Sequence, residues 1–278
     1  MVITKKSAHR QWLLQVIKYW EVARVHYRAS AIYFANVLSR GLLVALRVWI
    51  LTQLYQITFS STGQAEIGGL TLPMTLWLLM FSQSFQSTTK PILSKLIEEE
   101  VRSGTIAYSL GKPYSYLMFH YSAFLGRILP NMLFNIIVGS LTVWWLVGGI
   151  TFSWTGFWLC LPIIILGFSL DYVISATIGV LAFWFEDIEA FIWIYRKAQL
   201  VLGGTLLPLS LFPDHFRTFV EWLPFSQMYY SGARIFVKPE ISLFFHYLTV
   251  QVIWLIVTLI LLHWLFNKAS KNISINGG

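Results

Sequence analysis

Charge is scarce in this chain. Of its 278 residues only 12% are Asp, Glu, Lys or Arg, while 56% are hydrophobic and 17% aromatic. At a mean hydropathy of +0.65, no ordinary soluble domain can hide so much apolar surface, so lipid must be part of its solvent. Cysteine is nearly absent. The single Cys160 excludes an internal disulfide and any cysteine-based zinc site. The apolar runs are continuous and lack the period-two alternation of a β-barrel. What remains is a helical bundle, in which each segment satisfies its own backbone polar groups within lipid.

Catalytic signatures are missing as well. There is no G-x-x-x-x-G-K-[ST] loop. The nearest stretch, Gly104 through Gly111-Lys112, has the wrong spacing and runs into Pro113. No H-E-x-x-H or G-x-S-x-G pattern occurs, and no two carboxylates fall convincingly into one pocket. The chain therefore reads as a non-enzyme with no catalytic or metal-binding residues and no cofactor of its own. The N-terminus is basic but has no apolar core followed by small residues, so no cleavable leader is expected.

Hydropathy and length predict six spans, at roughly 29–58, 70–90, 116–148, 156–185, 188–209 and 242–266. The net charge of +8 is distributed unevenly. Lys5, Lys6, Arg10, Lys18, Arg24 and Arg28 precede the first span. Lys90, Lys95, Arg102 and Lys112 lie between the second and third, Arg196 and Lys197 follow the fourth-to-fifth turn, and Lys268 and Lys271 close the chain. The other side holds only Arg217, Arg234 and Lys238. Both termini are thus expected on the cytoplasmic side, and the basic excess marks a membrane face, with no nucleic-acid partner implied. Residues 8–28, with Trp12, Val16, Trp20, Ala23 and Tyr27 at helical spacing and basic residues between them, read equally well as a helix lying in the membrane interface or as one packed on the bundle.

The connection at 91–113 is a charged island. Pro91 suits a first helical turn, and Leu93, Ile97 and Val101 stand four apart on one face. Lys95 with Glu99 and Glu98 with Arg102 are opposite charges at i,i+4, and Gly104 fits a helix stop. Spacing alone describes a solvated connecting helix. The run from Glu100 through Gly104-Thr105-Ile106 to Pro113, however, resembles the E-x-x-x-G-T-(L/I)…P pattern of permeases of the ABC-2 class of ABC transporters. In that family this segment is the coupling helix that contacts the nucleotide-binding subunit. The resemblance assigns coupling to Leu93, Ile97, Glu100, Arg102, Gly104, Thr105 and Pro113.

A second match lies at Gly203-Gly204-Thr205 through Pro208 and Phe212-Pro213, continuing to Leu223-Pro224-Phe225. It is similar to the G…P…FP…LPF segment of the same family, which dips into the outer leaflet as re-entrant helices. Pro208, Pro213 and Pro224 would interrupt any continuous helix there, Asp214 is placed to cap a short one, and Phe216, Phe219, Val220 and Leu223 would line its apolar side. Together with Phe183-Trp184-Phe185-Glu186-Asp187 and Trp193-Ile194-Tyr195, the stretch looks like an uncharacterised prokaryotic ABC-2 subfamily. The likeness spans most of residues 85–240.

Arg40, Arg47, Arg127 and Asp171 are charges that fall well inside expected spans. Such charges usually face a partner or a wet cavity. Either the arginines guide an anionic head group, or they are structural, with Arg47 paired to Asp171. Glu186, Asp187 and Glu189 at the fourth-to-fifth turn are expected to cap the following helix. His246 and His263, near opposite ends of the last span, need only aromatic interface packing.

The expected architecture is a single all-α polytopic membrane domain over 1–278: six spans, an interfacial N-terminal helix (8–28), a cytoplasmic coupling helix (91–113) and an outer re-entrant region (203–238). The family resemblance implies two ABC ATPase subunits holding ATP and Mg, a second permease copy or relative, and residence in the prokaryotic inner membrane. It further implies export, and the aromatic-rich, low-charge spans point to an amphipathic or lipid-like substrate. The rival reading is an ATP-independent transporter or channel using Asp171 and the membrane arginines.

Overall fold

The structure is a computed structural model. It describes residues 2–32, 34–89, 92–150 and 153–276, and side chains of 14–30, 38–39, 41–89, 92–150 and 153–269. Pro91 and the side chain of Arg40, both singled out in the sequence, lie outside the described residues.

Among the described residues the regular elements are all helices except for one short hairpin. α1 (Val2–Ile32) is followed by α2 (Phe34–Thr62), then by β1 (Glu66–Ile67) and β2 (Leu70–Thr71), which pair antiparallel. α3 (Leu72–Thr88) starts at a Thr71 cap. The amphipathic α4 (Ile92–Arg102) and the short α5 (Ile106–Leu110) precede α6 (Tyr116–Val147), and α7 (Trp154–Val180) continues into a 3-10 turn ending at Phe183. Ser115 and Ser153 cap α6 and α7 by accepting from the Met118 and Gly156 amides. α8 (Glu189–Leu202) leads into the broken stretch of α9 (Asp214–Glu221), α10 (Pro224–Met228) and α11 (Tyr230–Val237), and α12 (Ile241–Asn276) closes the fold.

Four stretches are long and apolar enough to cross a membrane: Gly41–Thr62, Tyr116–Val147, Trp154–Phe183 and Ile241–Ala269. Leu141, Trp145 and Ile260 on their outer faces are 61%, 79% and 65% exposed, which only lipid makes tolerable. The chain is a multi-pass membrane protein. Two expected spans are shorter in helix than in hydropathy. α3 has 17 residues and α8 has 14, about 25 and 21 Å at 1.5 Å per residue. The expected 188–209 span loses its helix after Leu202, where the chain bends into Gly203-Gly204.

The ends of the helices define two faces. On one, the hairpin meets the α9–α12 connections: Lys238 donates to the Gly69 carbonyl at 3.0 Å, and Trp77 to that of Gly148 at 3.1 Å. On the other, α4 meets the start of α6 and the ends of α7 and α12 through Ile97, Tyr116, Val180 and Leu262. α1 runs along α6. Lys18 donates to the Pro113 carbonyl at 3.1 Å, and the Ser115 amide donates to Tyr19 at 3.2 Å. Leu14, Ile17, Trp20 and Val25 remain exposed on its free side. α3 is buried nearly all round from Thr75 to Phe85 and forms the centre of the main core with Leu51, Tyr55, Phe168 and Tyr230.

Candidate functional site

α4 forms because its apolar residues recur every four positions and its charges fall elsewhere. Leu93 and Ile97 are buried, against α7 in the case of Ile97, and Val101 is half-buried beside them. α7 admits this approach at Gly179, where a Cβ would stand 2.8 Å from Ile97 Cδ1 and 3.1 Å from the Ser94 Cα. Ser94 donates to the Ser175 carbonyl at 2.7 Å, closing the same contact. Leu93 and Ile97, read in the sequence as coupling residues, therefore join α4 to the bundle and do not face outward. The helix stops at Gly104, whose φ of +73° is a conformation that suits glycine.

The polar residues of α4 make different partners from those its spacing predicted. Lys95 bridges to Glu189 at 2.9 Å instead of to Glu99, because the start of α8 lies closer than the next turn of its own helix. That hydrogen bond, then the Glu189 charge, raises the Lys95 pKa above its usual value. Arg102 does reach Glu98, at 3.9 Å. Glu98 is buried and accepts from the Ile188 amide at 3.4 Å, satisfying from another helix an orphan donor at the α8 N-terminus. Asp187 accepts from the Glu189 amide at 2.7 Å, as expected of the acidic turn. Glu100 accepts from Tyr116 at 3.0 Å. Outside this seam lies a hollow of about 860 Å³ lined by Glu99, Arg102, Ser103 and Thr105, and by Asp187 and Glu189 across from them. Pro113 sits beyond α5, where its carbonyl holds Lys18.

A second cavity, also about 860 Å³, runs between α2, α3 and α8. Its α2 wall is Ser39, Leu43, Arg47 and Ile50, one face at helical spacing. Its α8 wall is Trp193, Arg196, Lys197 and Leu200, and Gln83, Gln86 and Ser87 come from α3. Lys95 and Glu189 lie at the α4 end, and Leu206 at the other. Arg47 touches Gln83 at 3.5 Å, and Gln83 in turn donates to the Thr205 carbonyl at 2.6 Å. Lys197 lies 5.4 Å from the centre of the Trp193 ring. Arg196 and Lys197 were read in the sequence only as markers of sidedness. Nothing in their spacing announces a shared cavity with Arg47.

The pairing of Arg47 with Asp171 is not formed. Asp171 is buried in α7, where its Oδ1 accepts from Tyr195 at 2.6 Å and from Gln199 at 2.7 Å. Gln199 also donates to Tyr229 at 3.1 Å, and Tyr229 meets Thr89 at 2.7 Å. A buried carboxyl is thus satisfied by hydroxyl and amide donors from α8, with no cation paired to it among the described residues. A cleft of about 30 Å³, room for a water or two, lies beside it and shares Gln86, Thr89 and Arg196 with the larger groove. Arg127 is apart from both. It donates to the Ala123 carbonyl at 3.2 Å and lines a separate small cleft with His120 and Tyr172.

The stretch after α8 is broken where proline predicted. Pro208 precedes a 3-10 turn, Pro213 precedes α9 and Pro224 opens α10. Asp214 is the first residue of α9 rather than its cap, since Pro213 holds that position, and it contributes to the first turn by charge. Val220 is buried while Phe216 and Phe219 are exposed, so the expected apolar side of α9 is only partly covered. α10 and α11 instead are buried among α3, α7 and α12. Gln251 of α12 secures them, donating to the Gln227 carbonyl at 2.7 Å and the Ile163 carbonyl at 3.0 Å.

Comparison with curated proteins gives no match. A family model described as "ABC-2 family transporter protein" matches residues 43–277, which include α3 through α12 and the lining of the cavities described above apart from Ser39. With four long apolar helices, an outlying amphipathic α4 and a broken stretch packed back into the bundle, the chain belongs to the ABC-2 transporter family, whose members are membrane subunits and not ATPases.

Proposed function

We propose that this chain is the permease subunit of an ATP-driven exporter, moved by ATPase subunits that bind at α4. The carrying observation is the way α4 is mounted. Its apolar face seats on α7, its Glu98 and Lys95 hold the start of α8, and the hollow beyond it is open to solvent. The hollow has five carboxylates, from Glu98, Glu99, Glu100, Asp187 and Glu189, against Lys95 and Arg102. That excess suits a partner offering a basic rim.

On this reading Glu100, Arg102, Gly104 and Thr105 form or shape the docking surface. Leu93 and Ile97 pass its displacement to α7, and Pro113 ends the segment. The α4 face is cytoplasmic, as the lysines and arginines of the sequence imply, and both termini lie there, in a prokaryotic inner membrane. α3 and α8 complete six crossings, α8 with the help of residues 203–208. The stretch from Pro208 through Pro213 and Pro224 is an outer re-entrant region, and α1, packed along the start of α6, turns its exposed apolar side toward lipid. A second permease copy or relative and two ATPases, carrying ATP and Mg, complete the transporter. Its substrate is amphipathic, and the groove between α2, α3 and α8 is the path.

The test is co-purification in mild detergent, comparing the wild type with Glu99→Arg plus Arg102→Glu. Both residues lie on the outer side of α4, away from its contact with α7, so the variant keeps its chromatographic profile. An ATPase subunit with ATP turnover is expected with the wild type and absent from the variant. Equal recovery from both, or none from either, defeats the coupling assignment.

A further inference from the structure

The groove between α2, α3 and α8 has a chemical bias that the permease reading does not require. Arg47, Arg196 and Lys197 all line it and are all exposed. Among the described residues, no carboxylate forms an ion pair with any of them. The acid at the groove, Glu189, is already bridged to Lys95. Arg47 lies within the apolar stretch Gly41–Thr62 and Arg196 seven residues into α8, about 10 Å along that helix. Cations at such a depth are costly unless something neutralises them. A surface merely solvated by the cytoplasm would not also carry Leu43, Ile50, Trp193, Leu200 and Leu206 in one continuous wall.

We propose that this groove holds the anionic head group of an amphiphile on Arg47, Arg196 and Lys197, with its chains along the apolar wall. Each arginine offers a planar fork of donors to a phosphate or carboxylate. Lys197, already drawn over the Trp193 ring, supplies a point charge at the rim. Gln83 orients the Arg47 guanidinium from α3. The cleft beside Asp171 adjoins the groove but is too small for a head group, so the carboxyl bounds the site without entering it. The assignment names the substrate class for the proposed permease and rests on that reading. It replaces Arg127, which lies in a different cleft.

The experiment is equilibrium binding of a fluorescent short-chain phosphatidylglycerol to the full chain in neutral detergent. Phosphatidylcholine of the same chains and inorganic phosphate are the other two probes. No ATPase is needed, so failure here leaves the co-purification test standing, and the reverse. Three cations at roughly a few-fold to ten-fold each imply at least a ten-fold preference for the anionic lipid. Arg47→Gln, Arg196→Gln and Lys197→Gln together should abolish that preference. A triple change outside the groove, Arg24→Gln, Arg28→Gln and Lys268→Gln, should keep it. Should the first variant aggregate, Arg196→Gln plus Lys197→Gln carries the test, both side chains being exposed.

Equal binding of the two lipids, or a preference surviving loss of the groove cations, overturns the proposal. Displacement by inorganic phosphate at an affinity matching the lipid overturns it in favour of a free-anion site. Spontaneous cross-linking of Trp193→Cys to its own copy also overturns it, because a second subunit would then close the groove; the native Cys160 is buried and does not compete.

Discussion

The hydroxyls of Thr89 and Tyr229 lie 2.7 Å apart. Thr89 directly follows α3 on the α4 face, whereas Tyr229 belongs to the connection that enters between the helices from the hairpin face. Through Tyr229 the bond continues to Gln199 and Asp171. Four segments of the bundle thus converge on one hydroxyl–amide–carboxyl chain.

Asp171→Asn keeps an oxygen able to accept from Tyr195 and Gln199. It should fold and melt within about 1 kcal/mol of the wild type, whereas Asp171→Leu strands two buried donors at about 1–3 kcal/mol each. Thermal unfolding of the purified variants checks this. The same Asn variant separates an ATP-driven mechanism, in which substrate-linked ATP turnover persists, from an ion-coupled one, in which transport is lost.

Gly179→Val should displace α4. Its added atoms meet Ile97 and Ser94 at distances no packed core accepts, with an expected cost of about 1–3 kcal/mol for overpacking. Ile97→Ala should restore part of the lost melting temperature in the double variant, and additive losses would show that the two positions do not touch.

Gly104→Ala should cost about 1 kcal/mol through backbone strain alone. The φ is +73° and no atom lies within 4 Å of the added methyl group. Gly104→Asn, which tolerates that conformation better, should cost less. The two are distinguished by melting temperature, and an equal loss from both would place the cost elsewhere.

His26 on α1 carries a pKa lowered by burial and then by the Arg127 charge, with His120 also facing it. A lowered folded pKa means that the neutral form is the one that packs. Its contribution is full above about pH 6.5, the unfolded value, and is lost as pH falls through the folded value. Stability should therefore decline between pH 7.5 and 5.5, and His26→Gln should flatten that decline. Melting curves across this interval give the answer.

Gln251→Leu removes donors to the carbonyls of Gln227 and Ile163. It should loosen the α10–α11 segment at about 1–3 kcal/mol. A cysteine introduced at Ser231, fully buried in the native fold, should react faster with a thiol reagent when combined with Gln251→Leu than when alone. Unchanged reactivity would mean that apolar packing alone holds the segment.

Much of the fold was legible because its signals are local. The apolar runs give α6, α7 and the start of α12 within a few residues, although α12 runs on to Asn276 beyond the expected 266, and the charged island with its closing glycine gives α4. α3 and α8 were harder, since hydropathy registers apolar chain whether or not it is helical, and residues 203–208 are apolar without being helix. At the site, spacing correctly put Leu93 and Ile97 on one face but did not say that α7 would cover it. It offered Lys95 the acid on its own helix and Arg47 the acid at its own depth, although the nearer partners were Glu189 and Gln83. Those partners are separated by 94 and 36 residues in the chain, and only tertiary packing brings them together.

The seam beneath α4 grips two helices at once. Within a single turn and its neighbour, Ser94 and Ile97 lean on α7 while Glu98 holds α8. A displacement of that turn would strain its contacts with both helices. One leads to the residues around Asp171, and the other to the wall that carries Trp193 and Arg196. The wall of the groove and the neighbourhood of the buried carboxyl chain are therefore both anchored to one helix of 11 residues.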